Sequence, residues 1–167
     1  MPVNWAGESV QFASSLYKLK AQHDAPNALE RCVRLLMDRT GAESAGFVQL
    51  DEALATRNIV IEPATFQLVS PNPDWVAALV EQGLMEIGPV VDGLTGHLRQ
   101  VAIPVENASL RGVFLIFCPE EICKVPEFKR HLEFMSEGLK DAFGLLQTKL
   151  EWSHIKSSHQ ASLKSIP

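Results

Sequence analysis

The chain has 167 residues, of which 46% are apolar and 21% charged, with a net charge of −5. That size fits one domain with a buried core. The acidic balance excludes the basic face of a nucleic-acid binder, and no apolar run approaches the ~18 residues of a membrane-spanning helix.

Residues 9–22 read as a first helix, with Val10, Ala13, Leu16 and Tyr17 at helical spacing and Phe12 and Leu19 widening the stripe. His23–Asn27 breaks it. Asn27 and Glu30 then stand as a capping box for a second helix, whose buried stripe is Leu29, Val33, Leu36 and Met37. Gly41 is placed to end it in a left-handed conformation. Ser44–Asp51 and Arg57–Glu62 read as strands, and Thr65–Val69 as a short third one. Apolar residues on both parities of the first strand predict layers on both faces of the sheet.

Asn72 or Ser70 can cap a short helix that opens on Pro73 and closes at Gly83, with Trp75, Val76, Leu79 and Val80 inward. Met85–Gln100 contains Gly88, Pro89, Gly93 and Gly96 and reads as an irregular connector with one brief strand at Val90 and Val91. Arg99–Glu106 and Arg111–Cys118 form a hairpin across a polar turn, and Pro104 favours an edge or a bulge in its first strand. A long helix spans about 126–156. Its Leu132, Met135, Leu139, Ala142 and Leu146 follow coiled-coil spacing and predict a dimer contact. Thirty helical residues span about 45 Å against about 20 Å for a strand, so the helix outruns the sheet.

These elements predict an α+β protein, a single domain over residues 1–157. The terminal helices lie at about 9–41 and 126–156, and sheet and connector at about 44–118. Residues 158–167 read as a frayed tail, and the chain's end suggests a fragment.

The run ALERCVRLLMDRTGAESAGFVQLDE (Ala28–Glu52) resembles the opening of a GAF domain. GPVVD (Gly88–Asp92) resembles that family's Gly-x-Pro-Val stretch ending in Asp, and VAIPV with LRGVFLIF (Val101–Phe117) resembles its paired strands. The resemblance extends over about residues 10–152; a PAS domain is the nearest rival. It implies a central antiparallel sheet of five or six strands with helices packed on one face. It also implies a ligand cavity on the other face, under the short helix and connector. GAF domains bind small molecules or serve for dimerisation, and usually precede an output domain such as a kinase, a cyclase or a transcription activator. The Asn-Lys-Phe-Asp-Glu signature of cyclic-nucleotide-binding members is absent, and no cysteine falls in Gly93–Leu98, where bilin-binding members attach chromophore.

Phe66, Trp75 and Leu79, with Asp92, His97 and Arg99 in the connector, are the candidate ligand-binding residues. The aromatics would stack on a planar ligand, and His97 and Arg99 would grip a polar or acidic one. No Ser/His/Asp arrangement, paired acid and base, phosphate loop or metal-ligand spacing stands out, so the expected protein is not an enzyme and its cofactor is left open. Cys32, Cys118 and Cys123 are odd in number and lack CxxC spacing, which argues for a reduced, cytoplasmic setting. Cys118 and Cys123 pair only if a turn brings them together.

The expected function is a sensory module of a signal-transduction protein. It would bind a small molecule between the sheet and the 73–99 segment and relay it through the C-terminal helix of a homodimer. The alternative is a ligand-free dimerisation scaffold.

Overall fold

The computed structural model describes residues 3–21, 28–63, 71–92, 96–106 and 111–142. In chain order they form α1 (Trp5–Ala21), α2 (Ala28–Thr40), β1 (Ser44–Leu50), β2 (Thr56–Glu62), α3 (Pro73–Gln82), β3 (Glu86–Asp92), β4 (His97–Glu106), β5 (Arg111–Pro119) and a single turn, α4 (Glu120–Cys123). A last helix, α5, occupies residues 126–142. The short strand expected at Thr65–Val69, the Asn27 cap, Phe66, Leu146 and the helix expected beyond residue 142 lie outside the described residues.

The five strands build one antiparallel sheet in the order β2-β1-β5-β4-β3. Strand alternation sends Phe47, Ile103, Phe114 and Ile116 to one face and Val48, Ala102, Leu115 and Phe117 to the other. The first face is covered by α1, α2 and α5 through Phe12, Leu16, Leu36, Phe128 and Leu132, all buried. The second is covered by α3 through Val76 and Leu79. Each large apolar side chain enclosed this way stabilises the fold by about 1.5–3 kcal/mol before the entropy cost of ordering it.

Local chemistry sets the element ends. The Asn4 carboxamide accepts from Gly7 N at 3.1 Å, so α1 starts at Trp5, ahead of the expected Ser9. Its inward stripe is Phe12, Leu16 and Leu19, whereas Val10 and Tyr17 of the expected stripe are 67% and 71% exposed. Thr40 Oγ1 donates to the Leu36 carbonyl at 2.7 Å and accepts from Ala42 N at 3.2 Å, which closes α2 together with the left-handed Gly41. Asn72 caps α3 by accepting from Asp74 N at 2.8 Å.

The connector expected to be irregular contains β3, a seven-residue edge strand. Its register with β4 shifts between Ile87 and Val90, and that irregularity accommodates Gly88 and Pro89. Pro104 lies in β4, which is an inner strand. Pairing with β3 begins at Ala102, however, so among the described strands β5 alone flanks Pro104.

The stripe expected at a dimer contact is the core face of α5. Leu132, Met135, Leu139 and Ala142 are fully buried against α1, α2 and the sheet of the same chain. A coiled-coil spacing and a core-facing stripe share the same i, i+3, i+4 pattern, and here the sheet's apolar face claims it.

Candidate functional site

Of the six residues expected to line one ligand site, Phe66 lies outside the described residues, and Trp75, Leu79, His97 and Arg99 are not brought together. Leu79 is buried beneath α3, and Trp75 lies half-buried beside it, packed on the same cluster as Leu115 and Phe117. The Trp75 ring rests on Gly88 of β3, where a side chain would collide with it. Trp75 and Leu79 are therefore core residues. Arg99 shares the parity of Val101 and Ile103 and acts on the opposite face. Its Nη1 donates to the Gly88 carbonyl at 3.0 Å and its Nη2 lies 3.5 Å from Glu120 Oε1. That guanidinium is engaged by the protein itself. His97 is exposed and pairs through the backbone with Asp92, whose side chain lies outside the description.

Two other places concentrate polar chemistry, at opposite ends of β5. The first is a hollow of about 220 Å³ where α3 ends, lined by Val80, Gly83, Pro104, Val105, Glu106, Arg111 and Lys140. Gly83 takes φ 67° and ends α3, its N–H returning to the Leu79 carbonyl at 2.8 Å. The left-handed turn leaves its own carbonyl outside the helix, where Lys140 Nζ of α5 donates to it. Arg111 and Glu106 face each other across the hairpin at 3.1 Å and are both partly exposed. The floor is therefore apolar, and the rim carries two cations and one carboxylate. The sequence signal was faint, since Lys140 is one of many helical lysines and only the fold brings it to Gly83.

The second is a thiol cluster. Cys118, next to last in β5, lies directly opposite Arg99 in the β4–β5 ladder. The single turn α4 returns the chain, so that Cys123 hydrogen-bonds Cys118. Both thiols are free, Cys118 buried and Cys123 half-buried. The Cys118 thiol is pushed well up, first by its hydrogen bond to Cys123 and then by burial. The Cys123 thiol is held down, first by the hydrogen bond from Cys118, with Arg99 adding to it while burial and Glu120 oppose. Cys32, enclosed in the core, is pushed up to about 12 by burial. The turn on which pairing of Cys118 and Cys123 depended is present.

His131 is a packing histidine. Its Nε2 lies 2.8 Å from the Arg39 carbonyl, which only an N–H can satisfy, so Nδ1 accepts from Ser9 Oγ at 2.7 Å. Trp5 stacks on the ring at 5.4 Å. Burial pushes its pKa down, against the Arg39 carbonyl and Glu8, which favour the proton. Among the described residues no cluster of His, Cys, Asp and Glu could hold a metal ion, and no helix is long and apolar enough to cross a membrane.

The five-stranded sheet, with three helices on one face and a short one on the other, is GAF-like. No protein-family model and no curated protein sequence matches the chain. Among solved structures it is similar to the free methionine-R-sulfoxide reductase of Neisseria meningitidis in complex with its substrate (TM-score 0.58, 14% identity, 86% of this chain and 90% of that one). It is also similar to the corresponding reductase of Staphylococcus aureus with substrate (TM-score 0.52, 18% identity, 90% and 97% covered). The GAF domain of the potassium sensor histidine kinase KdpD of Escherichia coli aligns with a TM-score of 0.49 at 15% identity over 93% of this chain and 99% of that one. At these identities the likeness concerns the fold. It overturns the expectation that this chain is not an enzyme, because two similar structures are reductases and the architecture hosts catalysis.

Proposed function

We propose that the chain is a small-molecule-binding GAF-like module whose ligand occupies the hollow between the end of α3, the β4–β5 hairpin and α5. The single observation that carries this reading is the Lys140–Gly83 contact at the rim. It joins α3 to α5, so a ligand that competes for Lys140 has different affinities for the joined and parted arrangements. This is the relay expected from the sequence, moved from the face of α3 to its end. The rim suits a zwitterion of amino-acid size, with a carboxylate toward Lys140 and Arg111, an ammonium group toward Glu106 and an apolar part over Val80 and Pro104. The reductases of this fold that hold a free methionine sulfoxide substrate give that ligand class its support.

The test is a thermal-shift screen of free amino acids and their oxidised derivatives on the full chain, repeated on Val80→Phe, which fills the hollow. A hit should raise the Tm of the wild type, leave Val80→Phe unmoved, and shift amide signals at Gly83 and Lys140. Equal stabilisation of both proteins, or signals confined to α1, would overturn the assignment.

A second reading, homodimerisation, draws on a different surface from the one expected. Val10, Tyr17 and Phe134 are 67%, 71% and 48% exposed, and Tyr17 and Phe134 flank a groove between α1 and α5. Mass measured across a concentration series tests it. A strict monomer at the highest concentration would remove it.

A further inference from the structure

We propose that Cys118 and Cys123 form a redox-active dithiol that a hydroperoxide oxidises to an intramolecular disulfide. The site is independent of the hollow. Cys118 and Arg111 lie seven positions apart on β5, about 23 Å at strand rise, so the two places sit at opposite ends of one sheet.

A two-thiol site needs one sulfur that meets the oxidant and a second that is held against it and shielded from it. Cys123 is the half-buried sulfur at the end of α4, and Cys118 is the buried one at the end of β5, joined by a hydrogen bond. Four residues lie between them, and the tight turn of α4, with Lys124 N to the Glu121 carbonyl at 3.3 Å and Val125 N to the Ile122 carbonyl at 3.0 Å, brings the second back to the first. Arg99 stands beside the pair. It is the ladder partner of Cys118, its guanidinium acts on Cys123, and its contacts with the Gly88 carbonyl and Glu120 fix it in place. Glu120 is the opposing charge, and Thr40 bonds Cys118 from the α2 side. The low pKa of Cys123 and the high pKa of Cys118 assign the roles in the same order as their exposure.

The Cys123 thiolate attacks one peroxide oxygen, the O–O bond breaks, and the alcohol or water leaves with a proton, giving a sulfenic acid at Cys123. The Cys118 sulfur then attacks that sulfur, the S–O bond breaks, and water leaves. Two thiols are oxidised by two electrons and one hydroperoxide is reduced. An external dithiol restores the pair.

The test treats the full, reduced chain with hydrogen peroxide and then blocks remaining thiols. Trypsin releases both sulfurs in the single peptide Gly112–Lys124. The expected product is that peptide lighter by two hydrogens and refractory to alkylation, with Cys32 still alkylated, and dithiothreitol should reverse it. In Cys118→Ser, Cys123 should stop at a sulfenic acid that dimedone traps. In Cys123→Ser, oxidation at Cys118 should slow at least tenfold. Arg99→Gln should move the pH midpoint of Cys123 alkylation upward, and Arg99→Lys should restore most of it. Three thiols surviving excess peroxide, oxidation at Cys32 at the same rate, or an unchanged midpoint in a folded Arg99→Gln protein would each overturn the proposal.

Discussion

The indole of Trp75 lies directly on Gly88, and a Cβ at residue 88 would meet that ring and stand 2.9 Å from the Gln100 carbonyl oxygen. This contact fastens α3 to the edge strand β3. Gly88→Ala should therefore destabilise the protein by about 1–3 kcal/mol through overpacking. Trp75→Leu in the same chain should recover part of that loss, because the two positions share one space. Urea denaturation of the single and double variants measures the coupling, and strict additivity would show that ring and glycine do not touch.

The two faces of α5 should respond very unequally to truncation. Leu139→Ala opens a cavity in a fully enclosed site and should cost about 2–5 kcal/mol. Phe134→Ser, on the half-exposed face, should change stability by less than about 0.5 kcal/mol unless the groove is occupied by a partner. Denaturation curves read alongside mass measurements distinguish the two.

Acidification should weaken the protein through His131. Its pKa in the folded chain lies below the ordinary value near 6.5, so the unfolded chain binds the proton more tightly. The stabilisation is fully present above about pH 6.5. It is lost as pH falls from there toward the folded-state pKa, and levels off below it. Unfolding free energies compared between wild type and His131→Gln across pH 7.5–5 isolate this contribution. An identical pH slope in the two proteins would mean that His131 is not the titrating group.

Lys140→Met removes the donor to the Gly83 carbonyl while keeping the apolar stem. It should cost about 0.5–1.5 kcal/mol of stability. It should also speed amide exchange at the end of α3 and weaken any ligand found in the hollow at least tenfold, about 1.4 kcal/mol. Hydrogen exchange and isothermal titration read these effects.

The chain alone determined the class and most of the described elements, because strand alternation, helical spacing, the Asn72–Pro73 start and the Gly41 and Gly83 stops are local signals, whereas the full length of β3 and the turn α4 were not legible there. Only the tertiary structure decided which stripe faces which neighbour. Leu132, Met135, Leu139 and Ala142 read equally as a dimer seam or a core face, and the sheet's exposed apolar surface settled it. Trp75 and Arg99 read as neighbours in one site, yet the sheet separates them onto opposite faces. Cys118 with Cys123, and Gly83 with Lys140, became partners because a one-turn helix returns Cys123 to the end of β5 and the packing of α5 on the sheet brings Lys140 to the end of α3. Period and capping are written residue by residue, whereas burial is settled by competition among all the apolar surfaces in the chain.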